Sequence, residues 1–259
     1  MKWIDEGDAA DLAIDGGVAA IRSALEGWEG VDVIAHPPGP RAKTLFVADM
    51  DSTMIGQECI DELADYAGFK PEVSDITERA MRGELDFAAA LAERVALLAG
   101  LGEEVIALCL MERVRPNPGA ARLVRTMAAR GATTLLVSGG FTAFAGPVGE
   151  MLGFDRVEAN KLEIVDGQLT GRVTGRIVDS ARKLAALEAA RDALGISSDA
   201  VLAIGDGAND APMVAAAGLG VAYRAKPALV RVADARLDNH ALDALLWAQG
   251  IPRAEWVAA

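Results

Sequence analysis

The stretch Leu45-Phe46-Val47-Ala48-Asp49-Met50-Asp51-Ser52-Thr53 decides the fold. Four apolar residues run together without the polar alternation of a half-exposed strand, and the run ends in carboxylates. Two later stretches repeat the plan. Thr134-Leu135-Leu136-Val137 ends in Ser138-Gly139-Gly140, and Val201-Leu202-Ala203-Ile204 ends in Gly205-Asp206-Gly207. A helical pattern follows each of these three, and Gly218 to Tyr223 reads as a fourth run. Short unbroken apolar runs separated by helices are the pattern of parallel strands buried on both faces. The spacing predicts an α/β fold with an open, doubly wound, mainly parallel sheet.

Between Gln57 and Val114 no comparable strand occurs. Four helical patterns fill that region, about Glu58–Ala67, Pro71–Arg82, Asp86–Ala99 and Glu103–Arg113, punctuated by Gly68, Gly83 and Gly100-Leu101-Gly102. The pattern predicts a small helical-bundle insert, residues 57–114, after the first core strand. The α/β core is then 44–56 plus 115–259. A further insert is expected between Arg156 and Arg176. There Asp166-Gly167 between Lys161–Val165 and Gln168–Val173 signals a hairpin. Residues 1–43 stand apart, with a helical pattern over Gly16 to Gly27, a short strand expected over Val31 to Ala35, and a linker at His36-Pro37-Pro38-Gly39-Pro40. Such a segment is too small for its own core and must pack on the main body or on a second copy of the chain, as a homodimer.

The whole-chain balance narrows the partners. The 259 residues are 52% hydrophobic and 24% charged, with a formal net charge of -13. An acidic chain is a poor nonspecific binder of nucleic acid, which needs a basic face. Cys59 and Cys109 form no CxxC pair, so neither a zinc site nor a disulfide framework is expected. No secretory signal is visible, and no apolar run reaches the roughly 18 residues of a membrane span, so the expectation is a cytoplasmic protein.

In an open α/β sheet, ligands bind beyond the carboxyl ends of the strands. Here the three strand ends carry Asp49 and Asp51, then Ser138 with two glycines, then Asp206, Asn209 and Asp210. Carboxylates gathered this closely need a cation. Hard oxygen donors suit magnesium, with Asp49 and Asp206 each giving an oxygen and the backbone carbonyl near Asp51 a third. The metal would hold a phosphate oxygen, and Gly139 and Gly140 would let backbone N–H groups approach the phosphate. Lys183 lies in the first turn of a helix, where a cation opposes the helix dipole unless an anion is near. Arg182 is the rival cation at that end.

Asp49-Met50-Asp51-Ser52-Thr53, Ser138-Gly139-Gly140, Lys183 and Gly205-Asp206-Gly207-Ala208-Asn209-Asp210 resemble, in order, the four motifs of the haloacid dehalogenase-like hydrolases. Glu58-Cys59-Ile60-Asp61-Glu62-Leu63 and the run from Arg79 to Phe87 resemble the helical cap of the phosphoserine phosphatases within that family. The resemblance covers roughly Thr44 to Trp247. It implies a magnesium-dependent hydrolase that converts phosphoserine to serine, the last step of phosphorylated serine biosynthesis. Asp49 is then the nucleophile that becomes an aspartyl-phosphate, and Asp51 the acid/base. Lys183 and Ser138 stabilise the phosphoryl group, Asp206 binds the metal, and Asp210 supports it from behind. Asn209 stands near the phosphate or its lysine.

The resemblance also implies that Glu58 and Arg94 read the ammonium and carboxylate of the substrate, with Met81 and Phe87 closing the apolar side. Phe87, Leu91, Arg94 and Leu98 fall on one helical stripe, which puts Arg94 on an otherwise apolar face. Two other activities fit the core motifs. One is a phosphotransferase that passes the phosphoryl group from Asp49 to an amino-alcohol acceptor such as homoserine. The other is a receiver-like phospho-aspartate switch, against which the Asp49/Asp51 pair and the large cap both argue. The departure from the family is at the N-terminus, where residues 1–43 are too short for the whole amino-acid-binding regulatory domain that many bacterial relatives carry.

Overall fold

The structure, a computed structural model, describes residues 1–37, 39–81 and 84–258. It opens with a two-stranded antiparallel hairpin, β1 (Lys2–Asp5) and β2 (Ala9–Asp11), and a helix, α1 (Val18–Leu25). The main sheet is built from β3 (Leu45–Ala48), β4 (Thr133–Phe141), β5 (Arg156–Val165), β6 (Gln168–Thr174), β7 (Val201–Gly205), β8 (Leu219–Tyr223) and β9 (Ala235–Leu237). Their order across the sheet is β6-β5-β4-β3-β7-β8-β9. All neighbours pair in parallel except β5 and β6.

β3 is therefore central, and the chain continues to β4 on one side and to β7 on the other. This reversal is the topological switch point, where a crevice opens beyond the carboxyl ends of the strands. Asp49 is the first residue after β3.

The unbroken apolar runs are explained by two cores, one on each face of the sheet. Leu45, Val47, Val201 and Ala203 pack with Leu187 and Ala190 of α8 (Ser180–Leu194) and with Met213 and Val214 of α9 (Ala211–Ala216). Phe46, Ala48, Leu202 and Ile204 face the other way, toward α6 (Ala120–Ala129), α7 (Thr142–Leu152) and α11 (Ala244–Ala248). A short helix, α10 (Pro227–Val230), adds Leu229 to the first of these cores. The layers are thus helix, sheet, helix, the doubly wound α/β architecture. Among the described residues no helix is long and apolar enough to cross a membrane.

Among the described residues between β3 and α6 lie four helices and no strand: α2 (Cys59–Ala67), α3 (Lys70–Met81), α4 (Phe87–Ala96) and α5 (Glu104–Glu112). The two chain segments joining them to the sheet are strapped together. Ile55 bridges Pro116, Gly56 N–H donates to the Arg115 carbonyl at 3.1 Å, and the Asn117 amide donates to the carbonyls of Thr53 and Ile55 at 2.8 and 3.1 Å. The far end of the helical unit bonds to the β5–β6 hairpin, with Gly100 N–H on the Leu169 carbonyl and Glu103 N–H on that of Gly167.

Three expectations need correction. Residues 31–35 form no strand, because no neighbouring chain offers them a ladder. They are held by the Asp32 carboxylate, which accepts from the backbone N–H of Asp238 and of His240 at 2.9 Å each. β4 does not stop at Val137 but runs through Ser138 to Phe141, and its register with β5 shifts between Val137 and Phe141. Residues 156–176 are not a detached insert, since β5 begins as a sheet strand, pairing Arg156 with Leu135, and only later turns into the hairpin. The N-terminal segment packs on the main body. Trp247 Nε1–H and Arg253 N–H both donate to Asp5 Oδ2, at 2.5 and 2.7 Å, and Arg41 forks onto the Asp11 carboxylate.

Phe46 is fully buried, and its ring stacks on that of Phe154 with centroids 5.9 Å apart. Phe46→Ala is expected to cost about 3–5 kcal/mol in urea unfolding. A loss below about 1 kcal/mol would show that the central strand does not depend on this core.

Candidate active site

The carboxyl ends of β3 and β7 bring three aspartates together. Ligand oxygens of Asp49, Asp206 and Asp210 lie within 4.8 Å of one another, and all three residues are buried. Lys183 enters this cluster from the first turn of α8, itself fully buried. Its Nζ stands 2.7 Å from Asp49 Oδ1 and 2.7 Å from Asp210 Oδ1. Asp179 caps that helix, accepting from Arg182 N–H at 2.8 Å. Arg182, the rival cation, turns outward and pairs with Glu158 on β5.

Asp210 is committed on both oxygens. Oδ1 takes Lys183, and Oδ2 accepts the backbone N–H groups of Asp206 and Gly207 at 3.2 and 3.1 Å. This is why Gly205 tolerates no side chain, since a Cβ there would stand 2.4 Å from Asp210 Cγ. Asp210 therefore orients Lys183 and the β7 turn, while Asp49 and Asp206 have oxygens to spare. Thr53, fully buried, donates its hydroxyl to Asp206 Oδ1 at 3.1 Å.

The electrostatics follow from this crowding. Burial and the Asp210 charge push the Asp49 carboxyl well above its usual range, with Lys183 pulling it back. Burial, again with Asp210, pushes Asp206 up to about 7. Burial raises the Asp51 carboxyl too, against hydrogen bonds from Cys59. One ammonium faces three carboxylates, so the cluster carries a surplus of negative charge. The donor set is all oxygen, which suits a hard divalent cation.

Above the cluster is a cleft of about 70 Å³. Asp49, Asp51, Asp206 and Asn209 form its floor, and Gly139 and Gly140 one wall. Glu58, Thr77, Phe87, Leu91 and Arg94 close it from the helical unit. The stripe inferred from sequence is real, with Phe87, Leu91 and Arg94 all facing this space. Arg94 is only 7% exposed, yet among the described residues no carboxylate is within ion-pair distance of it. Burial lowers its pKa against the attraction of Glu58, Asp61 and Asp51. Glu58 shows the converse. Burial and the nearby Asp51 push its carboxyl well up, and it is bonded by the Ser52 hydroxyl at 2.6 Å rather than by a cation.

Ser138 is fully buried within β4, with its Oγ accepting from Gly140 N–H at 2.9 Å. The Met81 side chain lies outside the described residues, as do Arg82 and Gly83 of the same motif. A Cβ at Gly140 would stand 2.7 Å from Asp51 Oδ2, which explains the second glycine by close approach. Several supporting residues escaped the sequence reading. Ser52 bonds Glu58 from the left-handed conformation, φ 55°. Asn160 on β5, 2% exposed, donates to the Gly139 carbonyl and accepts from Val178 N–H, both at 2.8 Å. Ser52 stands inside the quoted motif and carried a signal; Asn160, set apart in a half-polar strand, carried none. A wider groove of about 530 Å³ beside α1 shares no residue with this site.

Removing Lys183 leaves buried carboxylates without their cation. In the absence of divalent metal, Lys183→Met is expected to lose about 3–5 kcal/mol of stability. Added divalent cation should then raise its melting temperature by more than it raises that of the native chain. A variant as stable as the parent and equally indifferent to the cation would contradict this account of the cluster.

With the geometry described, comparison with known proteins adds the following. The family model described as haloacid dehalogenase-like hydrolase matches residues 46–215. Phosphoserine phosphatase of Streptomyces coelicolor is 48% identical over 232 residues, which are 89% of this chain and 56% of that protein. Phosphoserine phosphatase of Albidiferax ferrireducens is 47% identical over 207 residues, 78% of this chain and 87% of that one. The chain spans less than two thirds of the length of the first curated relatives it matches, 56%, 59% and 62%. Among solved structures, a phospho-aspartyl intermediate analogue of phosphoserine phosphatase superposes with a TM-score of 0.74 at 37% identity, covering 80% of this chain and 98% of that one. A substrate-bound phosphoserine phosphatase complex gives 0.75 at 38% identity, covering 79% and 97%.

Proposed function

The chain belongs to the haloacid dehalogenase-like hydrolases, and from that premise we propose that it hydrolyses O-phospho-L-serine to L-serine and phosphate through an aspartyl-phosphate on Asp49. One observation carries the substrate. Among the described residues, a buried cation without an anion, Arg94, and a half-buried carboxyl without a cation, Glu58, line the same cleft as the aspartate cluster. A substrate with phosphate, ammonium and carboxylate satisfies all three at once. The relatives that carry the name phosphoserine phosphatase support the same reading.

In this reading Asp49 attacks phosphorus as the bond to the serine oxygen breaks. Asp51, whose carboxyl is raised above its usual range by desolvation, gives that oxygen its proton. It then takes a proton from the water that attacks the phosphorus of the aspartyl-phosphate, which releases phosphate and restores Asp49. Lys183 and the N–H group of Gly139 face the charge that develops on the phosphoryl oxygens. Ser138 acts by fixing the Gly140 N–H that it accepts. Asn209 lines the floor beside the phosphate, and Phe87 packs the apolar side.

Magnesium is the proposed cation. The carboxylates of Asp49 and Asp206 and the backbone carbonyl of Asp51 would hold it, with Asp210 behind. When bound, it neutralises the surplus charge and polarises the phosphate. The test is a phosphate-release panel with and without magnesium, using phosphoserine, phosphothreonine, phosphocholine and nucleotides. Phosphoserine should be turned over fastest and only with the cation. Arg94→Ala should lower kcat/KM for phosphoserine roughly ten- to hundredfold more than for an ester lacking a carboxylate, the worth of one charged hydrogen bond. Equal losses on both esters would refute the role given to Arg94.

A further inference from the structure

The Arg94 guanidinium is not held by its own helix alone. Its Nε–H donates to the Ala90 carbonyl one turn back at 3.2 Å, and its Nη1 donates to Thr77 Oγ1 at 3.0 Å. Thr77 stands on α3, is buried, and lines the same cleft. Its hydroxyl has one proton to give and two acceptors at 2.9 Å, Asp61 Oδ1 on α2 and the Val73 carbonyl on its own helix. A carboxylate is the stronger acceptor. The second oxygen of Asp61 takes the Ser74 hydroxyl at 2.7 Å. Three helices therefore meet in one polar chain, Arg94 to Thr77 to Asp61, at the wall of the cleft.

We propose that Thr77 is a positioning residue that sets substrate specificity, with its hydroxyl, oriented by Asp61, aiming Arg94 at the substrate carboxylate. The proposal rests on the reading of Arg94 given above. A guanidinium is planar and its N–H groups point in a fixed fork. One anchor on Nε lets that plane swing about the bond to Ala90. A second anchor on Nη1 stops the swing and turns Nη2, which has no protein partner among the described residues, toward the cleft. Asp61 also supplies negative charge one hydroxyl away from the guanidinium. Arg94 is thereby stabilised in its buried position without being occupied by a direct ion pair.

Thr77→Val keeps the shape of the side chain and removes the hydroxyl. The readout is the ratio of kcat/KM for phosphoserine to kcat/KM for O-phosphoethanolamine, which has the phosphate and ammonium but no carboxylate. The ratio should fall roughly tenfold, the loss of one hydrogen bond to a charged group, and the change for phosphoserine should sit mainly in KM. Thr77→Ser keeps the hydroxyl and should restore most of the ratio. In an Arg94→Ala background, Thr77→Val should change the ratio no further. Equal losses on both esters, a Thr77→Ser variant as impaired as Thr77→Val, or an additive effect in the Arg94→Ala background would each overturn the proposal. If Arg94→Ala lowers the ratio and Thr77→Val does not, the positioning role alone falls. If Arg94→Ala itself leaves the ratio unchanged, the assignment of Arg94 fails and Thr77 falls with it.

Discussion

Three buried carboxylates share one buried ammonium at the carboxyl ends of β3 and β7, and the rest of the molecule is arranged around that imbalance. Taking ions out of water is costly, and a group left unpaired normally neutralises instead. The cluster limits that cost by spending Asp210 entirely on Lys183 and two backbone N–H groups. What remains is Asp49 and Asp206, poorly compensated and facing a cleft. Such a pair attracts a divalent cation, and through it a phosphate. The same surplus would repel a phosphate dianion if no cation were present.

The helical unit solves a separate problem. A phosphate pocket alone accepts many esters, so selectivity must come from groups outside the sheet. In the proposed reading Glu58 and Arg94 meet this need, because Arg94 is buried and Glu58 half-buried with no natural partner among the described residues, a cost that a matching ligand relieves. Their placement depends on both parts of the molecule. Glu58 is bonded by Ser52 from the core side, and Arg94 by Thr77 from within the helices. The straps at Gly56, Arg115 and Asn117, and the hairpin bonds at Gly100 and Glu103, fix where the helical unit sits over the aspartates.

Much of this was legible in the chain. The apolar runs at Leu45, Leu135 and Val201 read as parallel strands because burial on both faces removes polar alternation, and the polar residues at their ends marked one edge of the sheet. Arg94 was visible as a charge on an apolar stripe. What was missed shares a different physical origin. β9 has only three residues, and the β1–β2 hairpin is short and half-exposed, so neither leaves a periodic trace. Val31 to Ala35 looked like a strand by composition, but strand formation needs a neighbouring strand, and this segment is held instead by bonds at Val31 and Asp32 to residues 238–240. Thr77 and Asn160 act through hydrogen bonds to residues 16 to 21 positions away in sequence, which no local pattern records.

The central claim is that Asp49 is a nucleophile and not merely a metal ligand. Acid quenching during turnover of radiolabelled phosphoserine, followed by peptide mapping, tests this directly. The account expects a hydroxylamine-sensitive phosphoryl group on the peptide that carries Asp49, lost in Asp49→Asn. Label on Ser52 or Ser138, or turnover with no covalent phosphate under single-turnover conditions, would contradict it.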